Sequence, residues 1–349
     1  MESTEKLEEL SMKFIDIEKN KKQGDKGTAL WVKDITDPQY QLISNLITKL
    51  CDKLTNTETK VKIFRIIKLC LEINVEVLSD IKESTAYPSV LCDFIVENKD
   101  ESFQSTLLFV FAYCFELNQY QPYITEALIT KIFNTLKSLD DEFIFERIIS
   151  ILIDINSIYV DINENLFLNV YHVNENSRVL EEVLLRLFNT EEDKDQLFKI
   201  LLCLMNILDK EKKNIFYSKD KETFIDITLL KLESTYTEEL KLFLLETLKR
   251  VTKYKDFYKE MYKVHELTEL MEDYTSNDEQ SPAIKKISGA ILRNLQKNLT
   301  KVLLEQQGGE VKDDDDEEEE DEEEKKLGMK WLFRREKSLF SLLTESFLY

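Results

Sequence analysis

The chain has 349 residues, of which only 6 are Gly and 4 are Pro, and its formal net charge at pH 7 is −21. Few turn-forming residues together with 43% hydrophobic residues predict an all-α protein with an ample core. The charge argues against nucleic acid and anionic membrane surfaces as primary ligands, because an acidic protein repels phosphate groups. A basic protein partner fits this charge better.

In chain order, residues 1–36 are predicted to form an amphipathic helix over 4–19 and then a loop. From 37 to 305 the apolar periodicity predicts an armadillo-like helical repeat domain. Its expected helices span 39–55, 58–79, 87–98, 102–117, 122–138, 141–158, 162–171, 176–189, 194–217, 220–234, 238–253, 256–273 and 281–305. Thr190 with Asp193 resembles a capping box, and Ser281 precedes Pro282 at another predicted helix start.

Two kinds of helix alternate in this region. Some are apolar nearly all round, such as 107–115, and others, such as 238–253, have one apolar stripe and a charged face. A spacing of about 40 residues per helix pair favours an armadillo or HEAT-like α-solenoid over tetratricopeptide repeats. A plain helical bundle is the alternative fold.

The acidic charge is concentrated near the end of the chain. Residues 313–324 are twelve consecutive carboxylates, and 325–349 hold six basic and two acidic residues, which leaves −13 on residues 1–312. We expect 306–326 to be a disordered acidic linker, because the mutual repulsion of these carboxylates prevents their burial. The remaining segment, 327–349, is short, apolar and basic.

The cysteines and the apolar runs indicate the compartment. The five cysteines are widely spaced, which predicts free buried thiols and no zinc site or disulfide framework. They are Cys51, Cys70, Cys92, Cys114 and Cys203. The start of the chain is highly charged, and the longest apolar run, 107–115, is too short to cross a bilayer. We therefore expect a soluble, cytoplasmic protein without direct membrane insertion.

Residues suited to catalysis are scarce. The two histidines, His172 and His265, are far apart, and no phosphate-binding loop, nucleophile elbow or metal-binding motif occurs in the sequence. Paired acids such as Asp140-Asp141 are typical of solvated helix faces. We expect no enzymatic activity, no catalytic residue, no cofactor and no metal, and a function based on binding.

The stretch 214–228 combines a helix break with a strong apolar pattern. Phe216 and Tyr217 are expected to end one helix, and Asp220 to begin the next by accepting hydrogen bonds from its first turn. The residues expected to pack inward on a neighbouring helix pair are Phe224, Ile225, Ile227 and Leu230. Asp226, between apolar neighbours, is expected to be a buried acceptor that holds a helix end.

Four basic residues stand out on one predicted helix of this acidic body. Lys241, Lys249, Arg250 and Lys253 all fall within 238–253, and Lys249 and Lys253 are four residues apart on one face. These four residues, with Asp226, are the candidate partner-binding residues.

Over about 150–295 the sequence resembles the leucine-rich, armadillo-like domain of the WISH/DIP family, whose animal members are called NCK-interacting protein with SH3 domain. The likeness is carried by Ile155-Asn156 with Glu164-Asn165-Leu166, Ser177-Arg178 with 183–189, Phe216-Tyr217-Ser218-Lys219-Asp220 with Ile225-Asp226-Ile227, Leu240-Lys241, Lys253-Tyr254 and Glu279-Gln280-Ser281-Pro282. Lys replaces the family's Arg at two of these places, and residues 1–150 contain no such motif.

The resemblance implies a function in actin assembly. Members of the family bind the actin-related protein 2/3 (Arp2/3) complex and activate it without a preformed mother filament, so that it nucleates linear filaments that seed branched networks. The implied partners are the Arp2/3 complex and, indirectly, actin, in the cytoplasm at cortical or endocytic actin patches. The sequence differs from the animal members in lacking an Src-homology-3 domain and a Pro-rich segment.

Two other functions are consistent with the composition. An armadillo-type adaptor or scaffold could bind some other helical peptide. The carboxylate run at 313–324 is also typical of chaperones for histones and other basic proteins, although a solubilising linker is the simpler interpretation.

Overall fold

A computed structural model describes residues 42–159, 161–211, 218–234, 237–254 and 262–306. Within these ranges every regular element is a helix and no strand occurs, which confirms the all-α prediction. The chain divides between Thr247 and Leu248 into two compact units. The predicted helix over 4–19, the acidic linker and the segment 327–349 all lie outside the described residues.

The described residues contain fifteen α-helices, numbered here in chain order. They are α1 (Leu42–Cys51), α2 (Thr57–Ile73), α3 (Val77–Lys82), α4 (Tyr87–Glu97), α5 (Glu101–Cys114), α6 (Leu117–Tyr120), α7 (Glu126–Leu136), α8 (Glu142–Ser157), α9 (Leu166–Val173), α10 (Arg178–Thr190), α11 (Lys194–Glu211), α12 (Ser218–Ser234), α13 (Glu238–Val251), α14 (Val264–Ser276) and α15 (Pro282–Gln306). A 3-10 turn, Gln121–Tyr123, follows α6.

The sequence-based prediction missed the short helices α3 and α6. They have 6 and 4 residues, too few to show a helical period of their own. The prediction also started the helix at 256–273 too early. In the structure α14 begins at Val264, directly after Lys263, whose left-handed backbone (φ 49°) is not helical. The residues 255–261 lie outside the described part.

Helix starts are fixed by polar side chains that accept hydrogen bonds from first-turn N–H groups. Such caps are provided by Asn56, Asp100, Thr125, Asp141 and Asn165. The predicted cap at Ser281 is confirmed, because its Oγ accepts from the N–H of Ile284 at 3.3 Å. The predicted capping box is wrong: Thr190 is the last residue of α10, and Asp193 itself accepts from the N–H of Gln196 at 2.9 Å.

In the first unit the same packing recurs along the chain. Helix α2 packs on α5, α5 on α8, and α8 on α11, so that every third helix is a neighbour. A second series runs from α1 to α4 to α7, and α7 then packs on α9. Each step of the first series therefore joins helices roughly one armadillo-repeat length apart in sequence.

Hydrogen bonds between helices follow the same spacing. The Nε of Arg147 on α8 donates to the carbonyl of Ala112 on α5 at 3.3 Å, across 35 residues. The Nζ of Lys199 on α11 donates to the Oδ1 of Asp154 on α8 at 2.7 Å, across 45 residues. The guanidinium of Arg186 lies 3.0 Å from a carboxylate oxygen of Glu146, across 40 residues. These bonds fix each helix against the helix that precedes it in the series.

Helix α5 shows how this packing makes a core. Five neighbours, α2, α3, α4, α7 and α8, surround it. Nine of its 14 residues are consequently buried, which confirms that 107–115 is enclosed nearly all round. Burying a Leu or Phe side chain contributes about 1.5–3 kcal/mol, so this helix is a major source of stability.

The second unit contains α14 and α15, which pack on each other. Their contact buries Leu267, Met271, Ile284, Ile291 and Leu295. The Nδ2 of Asn298 on α15 donates to the carbonyl of Thr252 at 3.1 Å, and the Nδ2 of Asn294 donates to the carbonyl of Lys249 at 3.1 Å. These two amides hold the C-terminal end of α13.

Two further expectations concern the thiols and the membrane. All five cysteines are free, and four of them, Cys70, Cys92, Cys114 and Cys203, are buried. Cys51 is half-buried. In the part of the chain that the structure describes, no helix has the length and apolar content needed to traverse a bilayer.

Candidate partner-binding surfaces

Helix α12 carries the described part of the 214–228 signature. Phe224, Ile225 and Ile227 are buried, and the Phe224 ring stacks on Phe188 of α10 with centroids 5.5 Å apart. Leu230 was expected to pack inward, but it is 63% exposed, and Leu229 is buried beside it. These buried residues attach α12 to α10.

The start of α12 differs from the prediction. The helix begins at Ser218, so Asp220 lies within the first turn, where its charge favours the helix dipole, and does not occupy the capping position. The preceding helix, α11, ends at Glu211, well before the expected position 217. Phe216 and Tyr217 lie outside the described residues.

Asp226 is only half-buried, so the expectation of a buried acceptor is wrong. The reason is its register on α12. Asp226 lies four residues before the exposed Leu230, and residues four apart share one face of a helix. The buried side chains on either side of it, Ile225 and Ile227, point to the core.

Asn156 and Asn165, two residues that carry the family resemblance, meet in the core. Both are fully buried, and the Nδ2 of Asn165 donates to the Oδ1 of Asn156 at 2.9 Å. The same Oδ1 accepts from the Nδ2 of Asn206 on α11 at 3.2 Å. The Oδ1 of Asn165 in turn caps α9 through the N–H of Leu168. This network therefore joins α8, α9 and α11 and is structural.

Lys231 is a residue whose role the sequence did not reveal. Its Nζ donates to the carbonyl of Glu191 at 3.2 Å and lies 5.7 Å from the centroid of the Phe188 ring. Partial burial lowers the pKa of Lys231, while the nearby carboxylates of Glu191 and Glu192 raise it. This lysine ties α12 to the end of α10, and only the fold brings its partners together.

The four candidate basic residues do not all lie on one helix. Lys241, Lys249 and Arg250 are half-buried on α13, whereas Lys253 is exposed and follows the helix end at Val251. The N–H of Lys253 bonds to the carbonyl three residues back, that of Arg250, at 3.2 Å, so the α-helical register of the predicted i,i+4 pair ends there.

The division of the chain separates these residues further. Lys241 belongs to the first unit, and Lys249, Arg250 and Lys253 belong to the second. We name the last three the α13 basic end. Cations are favourable at this position, because the C-terminal end of a helix carries partial negative charge.

No protein-family model matches the chain, and no curated protein matches it. The likeness to the WISH/DIP family is therefore carried by the residues quoted for it.

The described surfaces suit binding to charged groups. The α13 basic end presents cations at a fixed helix terminus, and such groups pair with carboxylates of a protein partner. Among the described residues, no group of three or more His, Cys, Asp or Glu side chains is arranged to hold a metal ion.

Proposed function

We propose that this protein binds the Arp2/3 complex and activates it without a preformed mother filament. The observation that carries the proposal is the recurrent packing of α2, α5, α8 and α11, about one repeat length apart in sequence. It supports an armadillo-like stacking of the helices in the first unit, the architecture that the resemblance implies. The resemblance supplies the partner.

The proposed mechanism is allosteric. A protein activates a two-state complex only by binding its active arrangement more tightly than its inactive one. A scaffold of packed helices is suited to this task, because its interior resists deformation and its surface groups keep fixed positions. The product is a linear actin filament that seeds a branched network, in the cytoplasm at cortical actin structures.

We assign one of the contacts to the α13 basic end, Lys249, Arg250 and Lys253. The amides of Asn294 and Asn298 fix the backbone beneath these residues. Reversing the charge at both lysines, Lys249→Glu with Lys253→Glu, should weaken binding of the Arp2/3 complex by about tenfold, or ~1.4 kcal/mol, because two attractive charges become repulsive. Fluorescence anisotropy with labelled complex measures this affinity.

The matched control is Lys297→Glu, which reverses an exposed cation on α15. It should leave the affinity unchanged, and circular dichroism should show that all three variants stay folded. Equal affinity of the double variant and the wild type would refute the assignment of this surface.

The experiment that tests the function is assembly of pyrene-labelled actin with purified Arp2/3 complex and no added filaments. We expect this protein to shorten the lag before assembly, with filaments that are unbranched at early times. An unaltered lag at saturating protein would leave an adaptor function for the same helices.

A second candidate function, an acidic chaperone of basic proteins, rests on the twelve carboxylates at 313–324. Deleting 313–349 separates the two candidates. A chaperone would lose its activity with these residues, whereas activation of the Arp2/3 complex by the helices should remain.

A further inference from the structure

Three aromatic side chains form a row across two neighbouring helices of the first unit. Phe109 and Tyr113 lie one turn apart on α5, with ring centroids separated by 4.8 Å. Tyr113 also contacts Phe143 in the first turn of α8, with centroids 6.0 Å apart and ring planes inclined by 49°. We call these residues the aromatic row.

The two ends of the aromatic row differ in what covers them. At one end the Nζ of Lys68 lies 5.1 Å from the centroid of Phe109, and that ring is only 7% exposed. At the other end Phe143 is 62% exposed. In the part of the chain that the structure describes, no Lys or Arg lies over the Phe143 ring. A cation therefore occupies one end, and the other end is open.

The position of Phe143 is fixed by bonds between the two helices. The Nε of Arg147, one turn along α8, donates to the carbonyl of Ala112, which adjoins Tyr113. The side chain of Asp141 caps the start of α8 through the N–H of Ile144. The Phe143 and Tyr113 rings are thus held in place before any ligand arrives, which lowers the entropy lost on binding.

The charge around the open ring is negative. Residues 140–146 contain four carboxylates and no basic residue. Arg186 lies 3.0 Å from Glu146 and 3.7 Å from Glu142, so one guanidinium is shared by two carboxylates. The side chain of Glu142 remains 81% exposed, and Asp140 is exposed as well. Carboxylates beside an exposed ring favour a cationic ligand over an apolar one, because covering them with apolar groups would remove their hydration.

We propose that Phe143 and Tyr113, with the carboxylates of Asp140 and Glu142, form a docking site for an arginine side chain of a basic segment of another protein. The planar guanidinium stacks on the exposed face of Phe143, and its N–H groups donate to the neighbouring carboxylates. Lysine fits less well, because its compact ammonium is more strongly hydrated and cannot stack. The net negative charge of the body attracts such a segment.

Photo-crosslinking of the full chain tests this site. The probe is a synthetic peptide of six arginines with a diazirine group, and mass spectrometry locates each cross-link on the chain. We expect cross-links on α5 and α8. Phe143→Ala should reduce their yield by about fivefold, the size expected for a lost cation–aromatic contact at an exposed site.

Two further variants separate the contributions. Phe143→Leu keeps an apolar side chain without an aromatic face and should lose about as much as Phe143→Ala. Glu142→Gln should reduce the yield by about twofold, because it removes one exposed charge. Cross-links to the acidic run at 313–324 should stay the same in every variant, which provides an internal measure of general attraction to the peptide.

Leu230→Ala is the matched control, since Leu230 is an apolar residue of nearly equal exposure, 63%, on α12. It should leave the yield on α5 and α8 unchanged. An unaltered yield in Phe143→Ala would overturn the proposal, and so would full retention in Phe143→Leu, which would show an apolar contact alone. Self-association of the wild type that Phe143→Ala abolishes would overturn it too, because a second copy would then cover the ring.

Discussion

Helices α5 and α12 belong to the same unit and have similar shares of apolar residues at their centres, but their surroundings differ. Neighbours enclose α5 on nearly every side, whereas α12 buries one face and exposes Leu230 on the other. The difference teaches that position in the stack, and not the residue type, decides which leucines stabilise the fold. Enclosed helices set the geometry, and outward faces are available for partners.

The strongest test of this difference removes one leucine from each helix. Leu108 on α5 is completely buried, so Leu108→Ala should lower the free energy of unfolding by about 2–5 kcal/mol, through lost burial and the cavity left behind. Leu230→Ala should change it by less than about 0.5 kcal/mol, because the side chain is largely hydrated already. Urea denaturation followed by circular dichroism measures both. Equal losses would contradict the contrast between the helices.

A smaller effect is expected at the buried amides. Asn156→Ala removes the acceptor that Asn165 and Asn206 share, and Asn165 is fully buried. The stranded amide should lower the free energy of unfolding by about 1–3 kcal/mol. Asn134→Ala is the control, because Asn134 is exposed and bonds only at the surface to Asn174. The same denaturation experiment compares them, and a neutral Asn156→Ala would show that the network adds no stability.

The smallest perturbation is chemical modification at the thiols. Burial raises the pKa of Cys70, Cys92 and Cys114 to about 12 and raises that of Cys203 as well. Because a raised pKa keeps the thiol protonated, the reactive thiolate is nearly absent at pH 8. We expect these four to be unreactive towards Ellman's reagent until the protein unfolds.

Cys51 is the comparison within the same experiment. It is half-buried, and its pKa is also raised by burial, with Ser84 and Lys60 lowering it in part. It should therefore react first and slowly in the native protein. Rapid reaction of two or more thiols without unfolding would show that the enclosed helices open readily.

The sequence predicted the elements with a strong period and missed those without one. Long helices such as α5 and α8 follow from their apolar spacing. The short helices α3 and α6 do not, because fewer than two turns show no pattern. The end of α11 at Glu211 was also missed, since an apolar stretch continues to Tyr217 beyond it.

The candidate sites were harder to predict than the helices. The sequence placed Asp226 between isoleucines and suggested burial, but burial depends on which face of α12 meets its neighbours. Phe143 looked like any apolar residue of a helix start. Its contact with Tyr113, thirty residues earlier, is set by the packing of α8 on α5, which no local pattern reveals.

The central claim is that this helical scaffold acts by binding and reshaping the Arp2/3 complex. Actin assembly with purified complex and no added filaments tests it most directly, with the wild type beside the variant that reverses Lys249 and Lys253. The account predicts a shortened lag with the wild type and a lag closer to that of the complex alone with the variant at the same concentration. A wild-type lag equal to that of the Arp2/3 complex alone, over all concentrations, would contradict it.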